Sequence, residues 1–560
     1  MIDFTQFDSD EKIVKAISSH NGQLRNIRKF YEGLWDVEAK LFLPRRYDLL
    51  RQAMKGQKYG AKVYDGHPAN AVNKFVLGLQ GNMISRSVPW LQFTTSNQRL
   101  LNNDEVKKYL QESTEQVLWS FNRSNFYGSS VWQGKDACTF GTGAMVPEID
   151  MAKGRIVYHT VHPGESWIAD DQYGSGAVYQ REFKMAAITL LEKFGADKLP
   201  SQVLRDAQGK GQGQPFTEYK CLLAIYKNVK PNPDSLLPED KPYKVFYILE
   251  SGAHSKKDSL LQKSGMDWFP LLWRQGREDG LAYGTSIAAD ALTEGLQVNQ
   301  IGKKQLELLA IAIEGRWLIH ENLRNKFKTN PGGRTYFAKT DEDVRPLSDK
   351  AQNWPLADDY AERIHSSIDD KFFIRFFELL SSGEFKNITA YQASQMLGEK
   401  ASLMSAIVGE YEEHVLEPAV DIQFAFEQMA GRMPQPPDIL LEEGGKVDIS
   451  YIGPLAQMQR AVMQSKGIVN ALPLMQAIGA IWPQALVKIN EMELIEDAGI
   501  SQGMKQTYFK SDEEVKAILE QQAARQEAME NAEMAGNMAK AAGPMGKQIE
   551  AGSPLDAMMG

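Results

Sequence analysis

The stretch that most constrains this chain runs from Thr285 to Leu380 and reads as long helix, short insert, long helix. Its first limb, Ser286 to about Glu314, is rich in Ala, Leu, Ile and Gln, lacks Pro, and has glycine only at Gly295 and Gly302. The insert, roughly Gly315 to Pro355, holds the turn sequence Asn330-Pro331-Gly332-Gly333. That turn lies between the short runs Arg316-Trp317-Leu318-Ile319 and Arg334-Thr335-Tyr336-Phe337. The second limb, Asp358 to Leu380, sets Ile364, Ile368, Phe372, Phe373, Phe376, Phe377 and Leu380 at mostly helical spacing, which predicts one broad apolar stripe on one helix. Two helices that leave a body and return to it around a small sheet-like tip are an unusual plan for an enzyme.

At 560 residues the chain exceeds one ordinary core, so roughly two to four domains are expected. Its balance of 43% hydrophobic and 24% charged residues is that of a soluble globular protein. No segment approaches the roughly 18 uninterrupted apolar residues of a membrane span. Met1 to Asp10 carries acids without the apolar core of a secretory signal. Two cysteines, Cys138 and Cys221, exclude a disulfide framework, fit a reducing compartment and read as small buried hydrophobes. A net charge of -9 argues against a protein whose task is to grip nucleic acid by its phosphates. It does not argue against one that nucleic acid slides past.

Along the chain, Glu11 to about Leu49 reads as a helix with Ile13, Ala16, Ile17, Leu24, Ile27, Phe30, Tyr31 and Leu34 at apolar positions, redirected at Leu43-Pro44. A turn at Tyr64 to Pro68 opens a second helix from Ala69 to Ile84. Val88 to Thr94 reads as an edge strand because of Pro89, and Asp104 to about Asn122 as an amphipathic helix. After a further helix through Cys138, Phe140-Gly141-Thr142-Gly143 turns the chain into a region of strands: Arg155 to Val161, Ser166 to Ala169, Ala177 to Phe183, Tyr219 to Lys227 and Tyr243 to Glu250. Met185 to Phe194 is a short helix among them. Beyond the opening stretch a long helix from Thr389 to Ala430 is predicted, with Thr389 and Gln392 as a capping box, a kink at Pro418 and a stop at Gly431. Gly431 to Gly453 reads as a linker and Leu455 to Ala498 as helix. Ser511 with Glu514 caps a last helix to about Lys540, and Ala541 to Gly560 reads as a flexible tail.

Chemistry has no visible seat. No Gly-x-x-x-x-Gly-Lys-Ser/Thr loop and no Gly-x-Ser-x-Gly elbow occurs, and Phe140 to Gly143 lacks the third glycine of a dinucleotide fingerprint. His159 and His162 form the only close histidine pair; three apart on a strand they point to opposite faces, with no third ligand near in sequence. Asp170 and Asp171 could be nominated for two-metal nuclease chemistry, but the turn Tyr173-Gly174-Ser175-Gly176 explains them more plainly. No catalytic residue, cofactor or metal is expected.

The basic residues are more suggestive. Arg324, Lys326, Lys328 and Arg334 fall inside the insert, and Lys386 lies in the short loop Ser381 to Asn387 after the second limb. Lys371 and Arg375, four apart on that limb, share a polar edge beside the phenylalanine stripe. Ordinary surface charge accounts for any one of them; together they suit a docked partner or phosphates in passing.

Several short patterns then stand in a telling order: Tyr64-Asp65-Gly66 to Ile84 before Val88-Pro89-Trp90-Leu91, Ser124-Asn125-Phe126-Tyr127, and Thr139-Phe140-Gly141-Thr142-Gly143. Further on come Trp273-Arg274 with Tyr283-Gly284-Thr285-Ser286, Asn299 in the following helix, and Asn387-Ile388-Thr389-Ala390. In that order the chain resembles the portal, or head-to-tail connector, proteins of short-tailed double-stranded DNA phages. It departs at Gln392, where that family usually carries Glu, although Gln still closes a capping box.

The resemblance implies a mainly helical α+β chain. Residues 1–284 and 389–454 would form a wing, 285–314 and 357–381 two stem helices, and 315–356 a small α/β clip. A channel loop at 382–388, a helical crown at 455–540 and the tail at 541–560 would complete it. It further implies a ring, typically dodecameric, at one capsid vertex, the conduit for genome packaging and ejection. The implied partners are other copies of the chain, double-stranded DNA in the channel, the terminase large subunit, scaffolding and major capsid proteins, and a tail adaptor. The setting would be a virion assembled in the host cytoplasm, with no membrane. Lys386, Lys371 and Arg375 would face the channel, and Arg324, Lys326, Lys328 and Arg334 would dock a partner. Phe372, Phe373, Phe376 and Phe377 would pack against the first limb and a ring neighbour. The alternative is another virion assembly or adaptor protein without a channel.

Overall fold

The structure, a computed structural model, divides the chain into two compact units, Met1–Val462 and Met463–Gly560. It describes residues 2–46, 62–101, 103–211, 213–232, 235, 237–251, 258–314, 317–319, 321, 344–346, 354–382, 403–442 and 446–457, and isolated positions between 521 and 534. Those isolated positions, in the second unit, are helical, with Met529 and Met534 exposed. The chain mixes helix and strand, with helix the larger share.

Helix α1 (Asp10–Phe42) begins with Asp10 and Glu11, carboxylates that suit the positive end of the helix dipole. Its buried face differs from the one the spacing suggests. Ile27, Phe30 and Leu34 are exposed, while Ile13, Val14, Ile17, Leu24, Trp35 and Phe42 are buried together with Arg28 and Glu38. Arg28 is accommodated because it donates to the carbonyls of Pro163, Gly164 and Ser166 at 3.0, 2.9 and 2.9 Å. Hydropathy counts such a residue as polar surface, since its partners lie far along the chain.

Three helices follow: α2 (His67–Met83), α3 (Asp104–Arg123) and α4 (Phe126–Phe140). Asn103 caps α3, its Oδ1 accepting from the amides of Glu105 and Val106 at 2.9 and 3.3 Å. Between α2 and α3 lies β1 (Leu91–Thr95), two residues past Pro89. The strands after α4 are β2 (Thr142–Asp150), β3 (Arg155–Val161), β4 (Ser166–Asp170), β5 (Gly176–Ala186), β6 (Glu218–Lys227), β7 (Tyr243–Leu249), β8 (Leu260–Met266) and β9 (Leu271–Arg274). They form a three-stranded sheet in the order β3-β2-β9 and a five-stranded antiparallel sheet in the order β4-β5-β6-β7-β8. Alternation along β4–β7 buries both faces of the larger sheet. Trp167, Val178, Leu222, Ala224 and Phe246 meet Ile13, Val14, Ile17 and Leu24 of α1. Ile168, Tyr179, Leu223, Ile225 and Val245 meet Trp35, Phe140 and Tyr283 on the other face. Two short helices, α5 (Ala187–Phe194) and α6 (Ser201–Ala207), cover its far end around Cys221, Leu249 and Leu261.

The helix–insert–helix stretch takes this form. A helical turn at Ile287–Asp290 leads into α7 (Leu292–Glu314), then β10 (Trp317–Ile319) pairs antiparallel with β11 (Val344–Pro346). Two helices, α8 (Trp354–Lys371) and α9 (Ile374–Ser382), complete it. The second limb is therefore broken where a single helix was predicted. The break falls at Phe372-Phe373, where Phe373 adopts φ +53°, a conformation costly for a residue with a bulky side chain. Lys371 and Arg375 consequently do not share one helical edge. Of the expected run Arg316 to Ile319, the described residues 317–319 form β10, which pairs with β11. The turn Asn330 to Gly333 and the run Arg334 to Phe337 lie outside the described residues, as do Arg324, Lys326, Lys328 and Lys386. The capping pairs Thr389/Gln392 and Ser511/Glu514, the tail from Ala541 and most of 455–540 lie outside them as well.

The following helix, as described, comprises α10 (Ser405–Tyr411), a π-helical turn at Glu412–Leu416 and α11 (Glu417–Met429). Pro418 sits in the first turn of α11, where a missing amide is best tolerated, and the wider π turn immediately precedes it. Gly431 (φ +66°) ends the helix as predicted, with Gly431 N donating to Gln428 O and Arg432 N to Glu427 O, both at 3.0 Å. The predicted linker beyond it contains a strand, β12 (Val447–Tyr451), which pairs antiparallel with β1. Five residues of alternating Val-Asp-Ile-Ser-Tyr were its only local signal.

Candidate functional site: the root and free faces of a helix pair

The chain enters α7 through a joint made by two glycine-containing turns. Gly141, left-handed at φ +71°, ends α4, and its carbonyl accepts from Gln275 N at 2.9 Å. Gly284 lies against it and donates its amide to Thr142 Oγ1 at 3.1 Å. A Cβ on Gly284 would overlap the carbonyls of Gln275 and Gly141, and one on Gly141 would overlap the carbonyl of Gly284. Two motifs far apart in sequence, Phe140 to Gly143 and Tyr283 to Ser286, thus need glycine for the same close backbone approach.

Beside the joint, Ser286 Oγ accepts from Ala289 N at 2.8 Å as the cap of the first helical turn and lies 3.2 Å from Glu38 Oε1. Glu38 is 1% exposed. Burial pushes its carboxyl up to about 8, against the Ser286 hydrogen bond, and Asp290 nearby adds to the rise. Arg274, in the strand leading to the joint, donates to both Asp170 oxygens at 2.6 Å, and Arg277 reaches Asp170 Oδ2 at 3.0 Å. Asp171 accepts from Lys227 at 2.7 Å and from the amides of Tyr173 and Ser175 at 2.9 and 3.0 Å. These two aspartates, nominated above for metals, are spent on ion pairs and a turn.

A second set of braces ties α8 to the body. His67, at the start of α2, and His365, on α8, stack with ring centroids 4.2 Å apart. Each reaches across to the other's neighbour: His67 Nε2 lies 2.8 Å from Asp369 Oδ1, and His365 Nε2 lies 2.8 Å from Asp65 Oδ2. Asp65 also accepts the His67 amide at 2.7 Å. Lys371 donates to the Asp290 carbonyl at 2.6 Å and to Glu294 Oε1 at 2.5 Å, joining the end of α8 to the start of α7. Asn299 of α7 accepts from Tyr64 N at 2.7 Å. None of Glu38, His67 or His365 was singled out from the sequence, because each matters only through a partner hundreds of residues away.

The phenylalanines sit in this chain's own core. Phe372, Phe376 and Phe377 are buried, and Phe373 is half-buried. Phe372 stacks on Phe42 at 5.8 Å and meets Phe75 edge-on at 6.2 Å, while Phe377 meets Phe75 at 6.0 Å and Phe376 at 5.3 Å. Gly78 of α2 leaves room for the Phe377 ring. Of the basic candidates that are described, Lys371 is held at the root, whereas Arg375 is exposed and bonds Ser366 Oγ at 2.6 Å.

Farther along, the same helices are bare. Leu306 and Leu309 of α7 are 53% and 46% exposed, and Tyr360 of α8 is 51% exposed. Among the described residues no group of three or more His, Cys, Asp or Glu is placed to hold a metal ion, and no helix is long and apolar enough to cross a membrane. His162 is half-buried, with Nδ1 accepting from Gly164 N and Nε2 facing the Arg46 carbonyl, both at 3.0 Å. Burial first, then the Arg46 charge, brings it down to about 4, so it stays neutral.

Comparison with known proteins finds similarity over most of the chain's length. The family described as "Bacteriophage head to tail connecting protein" matches residues 14–509. A portal protein of Salmonella phage epsilon15 is 25% identical over 540 residues, covering 92% of this chain and 92% of that protein. A probable portal protein of Bordetella phage BPP-1 is 24% identical over 544 residues, covering 95% of each.

Proposed function

The chain belongs to the family of bacteriophage head to tail connecting proteins, and from that premise we propose that its copies close into a ring at one capsid vertex and serve as the conduit for genome packaging and ejection. The observation that carries this reading is the match of more than nine-tenths of the chain to portal proteins. In it, 1–284 and 389–454 are the wing, α7 and the α8–α9 limb are the stem, 315–356 the clip, 382–388 the channel loop and 455–540 the crown. The body's role is to fix the stem, which is why the joint and braces gather at its root. No step of catalysis is assigned.

A conduit must pass DNA without holding it, since each phosphate contact releases counterions and adds affinity. A chain of net charge -9 with few cations on the described stem suits that task. Arg375 and Lys386 are the assigned channel contacts; Lys371, committed to Glu294, is available only if that pair opens. The clip cations Arg324, Lys326, Lys328 and Arg334 are assigned to docking the packaging motor and, later, the tail adaptor. Negative-stain microscopy of the purified full chain tests the reading: rings with a central hole are expected, and their mass in solution gives the stoichiometry. Compact monomers at all concentrations would overturn it.

A further inference from the structure

The bare halves of α7 and α8 carry opposite charge at matching heights. Lys371 bonds the Asp290 carbonyl and Glu294, and Ser367 Oγ lies 3.5 Å from the same Glu294 oxygen. These contacts set the antiparallel register: the end of α8 lies level with the start of α7. Both helices rise by about 1.5 Å per residue. Moving along α7 to Lys303 and Lys304 therefore corresponds to moving back along α8 to Asp358, Asp359 and Glu362.

Among the described residues the two groups do not pair with each other. Lys303 and Lys304 there reach Glu307 of their own helix, at 4.0 and 2.8 Å, in largely exposed pairs. Asp358, Asp359 and Glu362 are exposed and have no basic partner among the described residues. Leu306 lies beside the lysines in sequence and Tyr360 among the acids, both more than half exposed. One stretch thus offers cations with an apolar neighbour, and the other offers anions with an aromatic one.

We propose that the α7 face around Lys303, Lys304 and Leu306 of one copy seats on the α8 face around Asp358, Asp359 and Glu362 of the next copy. The occupant of each face is a second copy of this chain, and the contact is head-to-tail. Equal height is what such a contact needs, because a rotation that closes a ring carries no translation along its axis, whereas an offset would generate a filament. The inference rests on the ring reading above and adds which surfaces meet and what selects them. Opposite charge sets the register and the approach, and like-charge contacts, α7 on α7 or α8 on α8, are disfavoured.

Two charge-reversed variants of the full chain test it by light scattering after size exclusion: Lys303→Glu with Lys304→Glu, and Asp358→Lys with Asp359→Lys. The first makes both faces acidic and the second makes both basic. Each alone is expected to need a concentration at least about tenfold higher than the unaltered chain to assemble. Mixed one to one, they are expected to regain ring mass, since each acidic face then meets a basic one. Because the positions are exposed, both variants should unfold at the temperature of the unaltered chain. Either variant assembling alone as readily as the unaltered chain would overturn these surfaces and leave the ring standing. A mixture of folded variants that fails to assemble would do the same. Failure of the unaltered chain to form rings would remove the ring itself and this contact with it.

Discussion

The two ends of one helix pair follow opposite rules. At the root, α7, α8 and α9 are cemented into the body by the glycine joint, the stacked histidines, Lys371 and a cluster of phenylalanine rings. Ten to fifteen residues farther along, leucines, a tyrosine and carboxylates with no basic partner among the described residues face outward. The root obeys the physics of a protein interior, where polar atoms find partners and rings interlock. The free faces keep their apolar side chains in water, as the proposed contact with a second copy requires. An apolar stripe alone does not say which of these it belongs to, since the same spacing serves a chain's own core and its contact with a copy.

The largest expected effect probes that distinction at Phe376 of α9, 1% exposed and in ring contact with Phe377. Phe376→Asp removes a buried ring, a change worth about 3–5 kcal/mol when the replacement is Ala. It adds a carboxylate without a partner, costing several kcal/mol more. Against a total stability of about 5–15 kcal/mol, the variant should lose its cooperative thermal transition. Leu306→Asp, on the free face of α7, should leave that transition unchanged. A folded, soluble monomer from Phe376→Asp would place the ring cluster between copies, and the comparison between root and free face would collapse.

Much of the plan was legible in the sequence. The helix–insert–helix stretch, the turn at Gly141 and the helix stop at Gly431 each announced themselves through glycine, proline or a 3.6-residue period. The break at Phe373 did not. Its positive φ falls on a phenylalanine, with no glycine or asparagine to announce it, beside Phe372, whose ring packs on Phe42 and Phe75. β12 was missed because a five-residue strand among Pro and Gly has too little pattern of its own until β1 pairs with it. The site was less legible than the fold. Lys371, expected to face a channel, is bonded to Glu294 and the Asp290 carbonyl, and nothing in the sequence draws attention to Glu38. Sequence distance, 248 residues between Glu38 and Ser286, hides such pairs.

A middle-sized effect should appear at Glu38. Its carboxyl sits at about 8 when folded, against an ordinary value of 4.5. The unfolded chain therefore releases this proton first as pH rises, and folding stability falls between about pH 4.5 and 8 by roughly 1.4 kcal/mol per pH unit at most, levelling above. Glu38→Gln should remove that slope while keeping a hydrogen-bonding group beside Ser286. Thermal unfolding at pH 5 and pH 8.5 measures it: the variant should gain on the parent at the higher pH. Equal gains at both would mean that Glu38 is ionised in the fold, and that the root tolerates a buried charge.

The smallest effect belongs to Lys371→Ala, at the seam between the two regions. The ion pair with Glu294 is partly exposed, with the lysine side chain 35% accessible, so its loss should cost only about 0.5–1 kcal/mol. Burial, the largest single influence, would raise the Glu294 carboxyl, but the hydrogen bond and charge of Lys371, joined by hydrogen bonds from the backbone and Ser367, together leave the group below its ordinary 4.5. A depressed carboxylate stabilises the fold above its unfolded value and loses that contribution as pH falls through the folded one. The difference in melting temperature between Lys371→Ala and the parent should therefore be fully present at neutral pH and shrink below pH 4.5. If it persists undiminished in acid, Lys371 acts through packing of its stem and not through Glu294. The joint between α7 and α8 would then rest on the rings and histidines alone.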